Sequence, residues 1–379
     1  MTNKKLVCLA VAAAIMVGWA VLQNRIARQS AAKPMFTSSP LIQGLPIDKI
    51  AKITIVSRKG QDTTTLKRQD GRFVAADKDN YPVDVSKLNT LLNSCLDIRT
   101  TERITADAAN HADLGVTDET AQYAVRFYGE DDKLLTGVLI SERKSNPDGA
   151  YARLADDNTV YFIQSPPWLS AGAMDYINRS LFQLEKANIR KVTVLWPQGD
   201  YTLTAQDGGA IAIDPMPEGK QYKGTAYQSV FGALTYLQAD DVRAEDQSSE
   251  KLAFDRQFVC SMTDSTVYTV KIAKHNDKTY VKVAAEFTDK TPVEKERRVE
   301  SEEELKAKEA KLKAIEAVQK FNERHQGWIY EIPSYKAGDL TKTLEDLLED
   351  KPSPQPATIP QSDTSQPPAE SDNAAKDEA

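Results

Sequence analysis

Two stretches of this 379-residue chain present the same short patterns in the same order. Residues 50–56 read IAKITIV and residues 189–195 read IRKVTVL, and each run is followed four residues later by a glycine. The next runs, LKRQDG at 66–71 and LTAQDG at 203–208, both end in an Asp-Gly turn signal. Because alternating apolar and polar residues between turn signals are typical of antiparallel strands, we expect a small strand meander in each stretch.

A helix and further strands follow the meander in both stretches. Asp84 is the predicted N-cap of the first helix, and apolar residues at helical spacing predict its counterpart at 227–237. Further strands are predicted at 123–127, 134–140, 151–154, 160–163, 267–272, 279–285 and 328–332. Each stretch then ends in a predicted apolar helix, at 169–182 and at 340–348.

The predicted fold class is therefore α+β, with two tandem repeats. The repeats are expected at 45–182 and 184–348, each a mostly antiparallel β-sheet with helices packed on one face. The second repeat contains an inserted charged helix at 293–325, aligned with the loop at 142–150 of the first.

The insertion holds nine acidic and nine basic residues between positions 294 and 324. Ser301 and Glu304 have capping-box spacing, and four Glu-before-Lys pairs at i,i+4 predict an exposed helix. This helix either crosses the body of the protein as a solvated element or forms an arm that contacts a partner. In the second case, the candidate contact residues are Leu305, Leu312, Ile315 and Phe321.

Both ends of the chain differ from the body in composition. Lys4 and Lys5 precede an uncharged run at 6–22, which as a helix spans about 26 Å, sufficient for a bacterial inner membrane. An uncleaved N-terminal membrane anchor within 1–33 would make this a single-pass inner-membrane protein with its bulk in the periplasm, and a cleaved signal peptide is the alternative. Residues 351–379 contain six prolines and predict a disordered tail.

Signatures of catalysis are missing from the sequence. It has no nucleophile elbow, phosphate-binding loop, dinucleotide-binding turn or paired Cys/His zinc spacing. His111, His275 and His325 are far apart in sequence and are predicted to lie at the surface. We therefore expect no catalytic residue, no cofactor and no metal. A hydrolase whose carboxylates converge only in the fold stays an alternative.

The cysteines, the tryptophans and the net charge bear on three further kinds of function. Cys95 and Cys260 are predicted to be buried free thiols. Ligand binding is one interpretation of Trp168, Trp196 and Trp328. Because Trp168 and Trp328 flank a repeat-closing strand, we expect core packing instead. The net charge of −7, without clustered Lys or Arg among aromatics, argues against nucleic-acid binding.

Several short runs resemble one bacterial family in their order and spacing, over about residues 45–348. This is the domain family of unknown function 4340 (DUF4340). The runs that carry the resemblance are Gly71-Arg-Phe, Tyr81-Pro-Val-Asp84, Arg103-Ile-Thr105, Ala112-Asp-Leu-Gly-Val116, Ala150-Tyr-Ala-Arg153, Val160-Tyr-Phe-Ile163 and Trp328-Ile-Tyr-Glu-Ile-Pro-Ser-Tyr-Lys336.

Members of that family typically have one N-terminal membrane anchor and are often encoded beside ABC-2-type transporter components and a gliding-motility-like auxiliary protein. The resemblance implies a non-enzymatic accessory or scaffold subunit of an ABC-type export or envelope-assembly system. Its partner would be an inner-membrane ABC permease or the gliding-motility-like auxiliary protein. The family supplies no catalytic residues. The alternative is a periplasmic module that binds an envelope polymer or small ligand in the cleft between the repeats.

Overall fold

The computed structural model describes residues 38–57, 62–247, 252–293 and 300–351. The predicted membrane anchor at 6–22 and all but the first residue of the predicted tail lie outside these ranges. Within them, the structure contains no helix with the length and apolar character needed to cross a membrane.

The first half of the chain forms a ten-stranded sheet, called here the N-terminal sheet. The strands of this half are β1 (Ser39–Pro40), β2 (Lys52–Ser57), β3 (Asp62–Gln69), β4 (Arg72–Ala75), β5 (Tyr81–Pro82), β6 (Arg99–Thr100), β7 (Glu102–Thr105), β8 (Tyr123–Tyr128), β9 (Leu134–Ile140), β10 (Lys144–Ser145), β11 (Asp148–Leu154) and β12 (Val160–Ile163). The sheet order is β5-β4-β3-β2-β8-β9-β11-β12-β7, with β10 paired to β11, while β1 pairs with β6 separately.

The second half forms an eight-stranded sheet, called here the C-terminal sheet. The strands of this half are β13 (Ser180–Phe182), β14 (Ile189–Leu195), β15 (Tyr201–Ala205), β16 (Ile211–Asp214), β17 (Lys220–Tyr222), β18 (Leu237–Gln238), β19 (Asp241–Ala244), β20 (Arg256–Met262), β21 (Thr266–His275), β22 (Lys278–Phe287), β23 (Trp328–Ile332) and β24 (Leu348–Asp350). The sheet order is β16-β15-β14-β20-β21-β22-β23-β19, and the pairs β13-β18 and β17-β24 stand apart from it.

Among the described residues, helices are few and mostly short. They are α1 (Val85–Leu96), α2 (Ala226–Phe231), α3 (Glu302–His325), α4 (Ser334–Leu340) and α5 (Leu344–Leu347). The α1 helix begins as predicted, because the Asp84 carboxylate accepts hydrogen bonds from the backbone N–H groups of Ser86 and Lys87. The structure confirms a mixed α/β fold with antiparallel sheets.

The alternating sequence pattern places one face of each meander in the core. In the N-terminal sheet, Ile53 of β2 lies between Leu66 of β3 and Phe127 of β8, and all three are fully buried. In the C-terminal sheet, Val192 of β14 lies between Leu203 and Cys260 in the same way. The strands predicted at 134–140, 160–163 and 328–332 have these bounds in the structure.

The predicted closing helix at 169–182 is wrong. This segment contains only a 3₁₀ turn at Ala173–Tyr176, followed by strand β13. The apolar residues Leu181 and Phe182 are buried, but β13 reaches this burial by pairing with β18, more than 50 residues away in sequence. An apolar run that is buried through a distant partner cannot be assigned to helix or strand by its own periodicity.

Two other predicted helices are shorter than expected. The helix predicted at 227–237 ends at Phe231, where Gly232 is the C-cap, and continues as a 3₁₀ turn at Ala233–Thr235. Of the helix predicted at 340–348, only the four-residue α5 is present, because α4 ends at Leu340 and strand β24 begins at Leu348. The α5 helix begins where Thr343 forms a capping box with Asp346.

The two halves contact each other through β5 and its preceding turn. Lys78 forms an ion pair of 2.6 Å with Asp241, and an Asp79 carboxylate oxygen accepts a hydrogen bond of 2.9 Å from the Ala244 backbone N–H. Tyr81 packs edge-on against Trp328, with 4.7 Å between ring centroids. One continuous hydrophobic cluster contains buried residues of both sheets. The halves are therefore joined by core packing as well as by polar contacts.

Candidate partner-binding surface

The long helix α3 begins with the predicted capping box. The Ser301 hydroxyl accepts a hydrogen bond of 3.2 Å from the Glu304 backbone N–H, and the Ser301 N–H donates one of 2.9 Å to the Glu304 carboxylate. Two of the unpaired N–H groups at this end of the helix are thereby satisfied locally. The helix starts where the sequence indicates, at Glu302.

Ion pairs along the exposed side of α3 follow the predicted spacing. The ammonium groups of Lys306, Lys313 and Lys320 each lie 2.6 Å from a glutamate carboxylate four residues earlier. Hydrogen bonds from these lysines hold the pKa values of Glu309 and Glu316 below their usual range. Such exposed pairs add small increments to helix stability, so they support the helix without requiring tertiary packing on that side.

The C-terminal part of α3 packs on the body of the protein. Ala314, Val318 and His325 are buried, and α3 lies against β22. Asn322 fixes this position through its side-chain amide. The amide donates a hydrogen bond of 2.8 Å to the Ala285 carbonyl and accepts one of 2.9 Å from the Ala285 N–H, so it satisfies both backbone groups of a strand residue.

The opposite face of α3 exposes two leucines. Leu305 and Leu312 are 53% and 54% exposed and lie seven residues, or about two turns, apart. At 100° per residue they project away from the face that holds Ala314 and Val318. We call Leu305, Leu312 and their intervening helix surface the α3 leucine face.

Polar contacts also hold the N-terminal part of α3 in place. The Lys311 ammonium lies 2.6 Å from the Asp289 carboxylate and 2.6 Å from the Thr291 carbonyl oxygen. Hydrogen bonds from Lys311 and Thr291 lower the pKa of Asp289, so the carboxylate stays ionised. Lys308 contacts the Glu300 carboxylate at 2.8 Å. The α3 leucine face is therefore presented by a helix that is fixed to the body from Lys311 onward.

The four predicted contact residues fall into two environments. Leu305 and Leu312 form the exposed face, and Ile315 is half-buried at its margin. Phe321 instead packs against the rings of Phe182 and Tyr268, each 5.3 Å away between centroids. Phe321 therefore joins the core through its ring contacts, and only the two leucines offer an apolar surface to a partner.

Two of the three histidines are buried, and each is hydrogen-bonded within its own half of the molecule. His111 and His325 are buried, at 6% and 2% exposure, so their predicted surface location is wrong. The His111 Nε2 lies 2.9 Å from the Asn158 carbonyl, and the His325 Nδ1 lies 2.8 Å from the Tyr330 hydroxyl. Among the described residues, no three or more His, Cys, Asp and Glu side chains form a group that could hold a metal ion.

The cysteine prediction is confirmed. Cys95 and Cys260 are both free and buried. Burial raises the pKa of each thiol to about 12. Because the thiolate is the reactive form, neither sulfur is activated as a nucleophile at neutral pH.

The tryptophan prediction is wrong at one position. Trp328 packs on Tyr81, and Trp196 packs against the core beneath the Arg256 guanidinium, 4.3 Å from the ring centroid. Trp168 is 90% exposed. A signal for this was present in the sequence, because Pro166 and Pro167 precede Trp168 and disfavour the regular helix or strand that would have buried it.

The fold and this surface define a mixed α/β protein with antiparallel sheets and few helices. Residues 74–257 match the family model described as a domain of unknown function, DUF4340. The match begins in β4 and ends in β20, so it includes parts of both sheets, and the resembling run at 328–336 lies beyond it. No curated protein and no solved structure matches the chain.

Proposed function

We propose that this protein is a non-enzymatic, membrane-anchored accessory subunit of an ABC-type export or envelope-assembly system. The observation that carries the proposal is the α3 leucine face, since two large apolar side chains are kept exposed on a helix that is fixed to the body. Exposed apolar residues presented in this way are typical of protein–protein contacts. The family relationship supports an inner-membrane permease or a gliding-motility-like auxiliary protein as the partner.

The proposed location follows from the sequence. The uncharged run at 6–22 would hold the protein in the inner membrane, with the two sheets in the periplasm. Two free thiols are compatible with an oxidising compartment when both are buried, as Cys95 and Cys260 are. In this arrangement the α3 leucine face meets its partner outside the cytoplasm.

The proposal includes a duplicated architecture. The sheet orders β4-β3-β2-β8-β9-β11-β12-β7 and β16-β15-β14-β20-β21-β22-β23-β19 correspond strand by strand in chain position, which supports two copies of one unit. Under this correspondence α3, between β22 and β23, replaces the short connection at 155–159 between β11 and β12. The sequence pattern instead predicts the insertion opposite the loop at 142–150, which lies before β11 rather than after it. One copy thus acquired a contact helix that the other lacks.

The experiment is crosslinking of native membranes followed by affinity purification of the tagged full-length protein. The test variant is Leu305→Gln with Leu312→Gln, because Gln keeps helix propensity while removing the apolar side chains. The matched control is Lys306→Gln with Ala317→Gln, on another face of the same helix. We expect wild type and control to recover a permease or auxiliary protein and the leucine variant to lose it.

One outcome would overturn the accessory role, and a second would overturn the assignment of the contact to the α3 leucine face. Recovery of the protein alone in repeated trials would show that it has no such partner. Equal recovery of a partner by the leucine variant and the control would place the contact elsewhere. Thermal unfolding of both variants checks that each is folded, which is expected because all four substituted residues are exposed.

A second candidate function is a binding module for an envelope polymer or small ligand. The exposed Trp168 beside a cavity favours it. This cavity is lined by residues of the first half alone. The alternative derived from the sequence instead places the ligand in the cleft between the repeats. Contacts such as Lys78 with Asp241 and Tyr81 with Trp328 occupy the boundary between the halves.

A further inference from the structure

Trp168 lies in a loop that the structure holds firmly. The residues on its C-terminal side return at once to the core, since Leu169 and Ala171 are buried at 8% and 6% exposure. The Thr64 hydroxyl of β3 donates a hydrogen bond of 2.5 Å to the Ala171 carbonyl. On the N-terminal side Pro167 restricts the backbone. The indole is therefore exposed on a rigid support.

An exposed indole keeps a large apolar surface in water, which costs free energy unless a ligand or partner covers the ring. A tryptophan side chain buries roughly 150–250 Å² in a contact, and it combines an apolar face with an N–H donor. The neighbouring Leu169 shows that the loop is able to direct a large apolar side chain inward. The position of Trp168 is therefore better explained by a ligand than by packing.

A cavity of about 340 Å³ opens on one side of Trp168. It lies where β8 begins and β9 ends, and Tyr123 and Pro166 give it apolar walls. This volume is in the range of small-molecule sites, which combine apolar walls with a few polar groups.

The polar groups of this cavity are suited to hydroxyl recognition. The side chains of Gln122, Tyr123 and Glu142 line it, and none of them hydrogen-bonds to another residue in the part of the chain that the structure describes. An amide, a phenol and a carboxylate together supply both donors and acceptors. They match the neighbouring hydroxyl groups of a sugar, while the Trp168 ring offers a face for the sugar's C–H groups.

The charges at the cavity disfavour an anionic ligand. The Arg143 guanidinium is engaged by Asp148 through two hydrogen bonds, of 2.8 and 2.9 Å. The Glu142 carboxylate adds a negative charge at the same wall. A phosphate or carboxylate ligand would require accessible cationic donors, so the ligand is expected to be neutral.

A second cavity, of about 190 Å³, is also bordered by Trp168. Ser94 of α1 lines it together with Ser170 and Asp175, and the Ser170 hydroxyl donates a hydrogen bond to the Asp175 carboxylate. Lys87 lines it too, and its ammonium group is engaged by the Ile177 carbonyl at 2.8 Å. Because the indole borders both cavities, a ligand longer than one sugar unit can reach from one cavity into the other.

We propose that Trp168 and its two flanking cavities bind a neutral oligosaccharide of at least two units. The indole stacks on one sugar ring, and Gln122, Tyr123 and Glu142 bind its hydroxyl groups. This inference deepens the second candidate function by naming the ligand class and the site. It is independent of the α3 leucine face, so variants at Leu305 and Leu312 test the accessory role and variants at Trp168 test the saccharide site.

The experiment measures binding of neutral tetrasaccharides to the full-length protein in lipid nanodiscs by calorimetry and tryptophan fluorescence. The probes are tetramers of β-1,4-linked N-acetylglucosamine, β-1,4-linked glucose, α-1,4-linked glucose and α-1,6-linked mannose, with inorganic phosphate as an anionic probe. We expect at least one tetramer to bind and to shift the emission to shorter wavelength, because the covered indole leaves water. Phosphate is expected not to bind.

Variants then locate the site. Trp168→Ala is expected to weaken binding by at least about tenfold and to remove the emission shift, and Gln122→Ala to weaken it less. Tyr335→Ala is the matched control, because Tyr335 is also exposed, at 69%, but lies in α4. Trp168→Ala should unfold at the wild-type temperature, since the side chain makes little contact with the body.

Three results would overturn the inference. They are the absence of binding by every tetramer, unchanged affinity in Trp168→Ala, and binding of phosphate in preference to the tetramers. If Trp168→Ala instead lowers the recovery of a crosslinked protein and no tetramer binds, Trp168 is a protein contact and the saccharide site is wrong.

Discussion

At the residue scale, His325 shows how burial decides the chemistry of a titratable group. Its Nδ1 is hydrogen-bonded to the Tyr330 hydroxyl at 2.8 Å, and that hydroxyl lies 3.3 Å from the hydroxyl of Tyr81. Burial, with a smaller contribution from the nearby Arg324, lowers the pKa of His325 to about 3. The imidazole is therefore neutral at physiological pH, and it links α3 to both sheets through tyrosine hydroxyls.

This lowered pKa predicts a specific loss of stability in acid. The unfolded chain binds the His325 proton near pH 6.5, whereas the folded protein binds it only near pH 3, so the free energy of unfolding falls as the pH drops between these values. His325→Asn keeps a hydrogen-bond acceptor near Nδ1 but does not titrate. Between pH 6 and pH 4 we expect wild type to lose about 2 kcal/mol more than this variant in urea unfolding.

A matched substitution controls for general acid effects. His275→Asn makes the same chemical change at a half-exposed position, so it controls for the replacement of a histidine by asparagine. The account of His325 is wrong if wild type and His325→Asn lose stability in parallel across this range.

At the element scale, α3 has two faces in different environments. Its buried face, with Ala314, Val318 and Phe321, belongs to the core, and its leucine face belongs to solvent. The sequence alternatives of a crossing helix and a contacting arm are therefore not exclusive, since α3 lies against β22 and still exposes an apolar surface.

The two faces of α3 predict unequal costs for truncating similar side chains. Phe321→Ala removes a ring that contacts Phe182 and Tyr268, and it should lower the free energy of unfolding by about 3 kcal/mol. Leu312→Ala should change it by less than about 0.5 kcal/mol. Denaturant unfolding of both variants makes the comparison. Similar losses would show that the leucine face is also packed.

Sequence reasoning succeeded where the information was local. The capping box of Ser301 and the Asp84 N-cap depend on residues three or fewer positions away, and both are present. It failed where burial depends on distant partners. The end of the segment at 169–182 is strand β13 because β18 pairs with it, and Trp168 is exposed because the loop turns inward only at Leu169.

The candidate surface was only partly predictable for the same reason. Helical spacing predicts Leu305, Leu312 and Ile315 on one side of the helix and Phe321 on another, and all four are candidate contact residues. Which of them face solvent depends on the side of α3 that meets β22, and this was set by Asn322 and by the aromatic cluster around Phe182. Those contacts join residues 37 or more positions apart, which no local pattern encodes.

At the scale of the whole molecule, the two sheets form one folded body. The buried Tyr81 of β5 contacts Trp328 and Tyr330 of β23 in the other half. Since a single hydrophobic cluster joins both sheets, neither half is expected to keep its full stability without the other.

This coupling predicts the effect of Tyr81→Ala on hydrogen exchange. Removing the buried ring should lower protection of backbone amides in β14 and β20 of the C-terminal sheet as well as in β2 and β8 of the N-terminal sheet. Tyr335→Ala, an exposed control, should change neither set. Loss of protection confined to the N-terminal sheet would show that the halves unfold independently.

The central claim, that the α3 leucine face contacts an inner-membrane partner, is tested most directly by site-specific photocrosslinking in living cells. A photoreactive amino acid replaces Leu312 in the full-length protein. The control is the same replacement at Asp207, which is exposed in the turn between β15 and β16. We predict a covalent adduct with an ABC permease or its auxiliary protein from position 312 and none from position 207. Absence of any adduct at position 312, or the same adduct from both positions, would contradict the account.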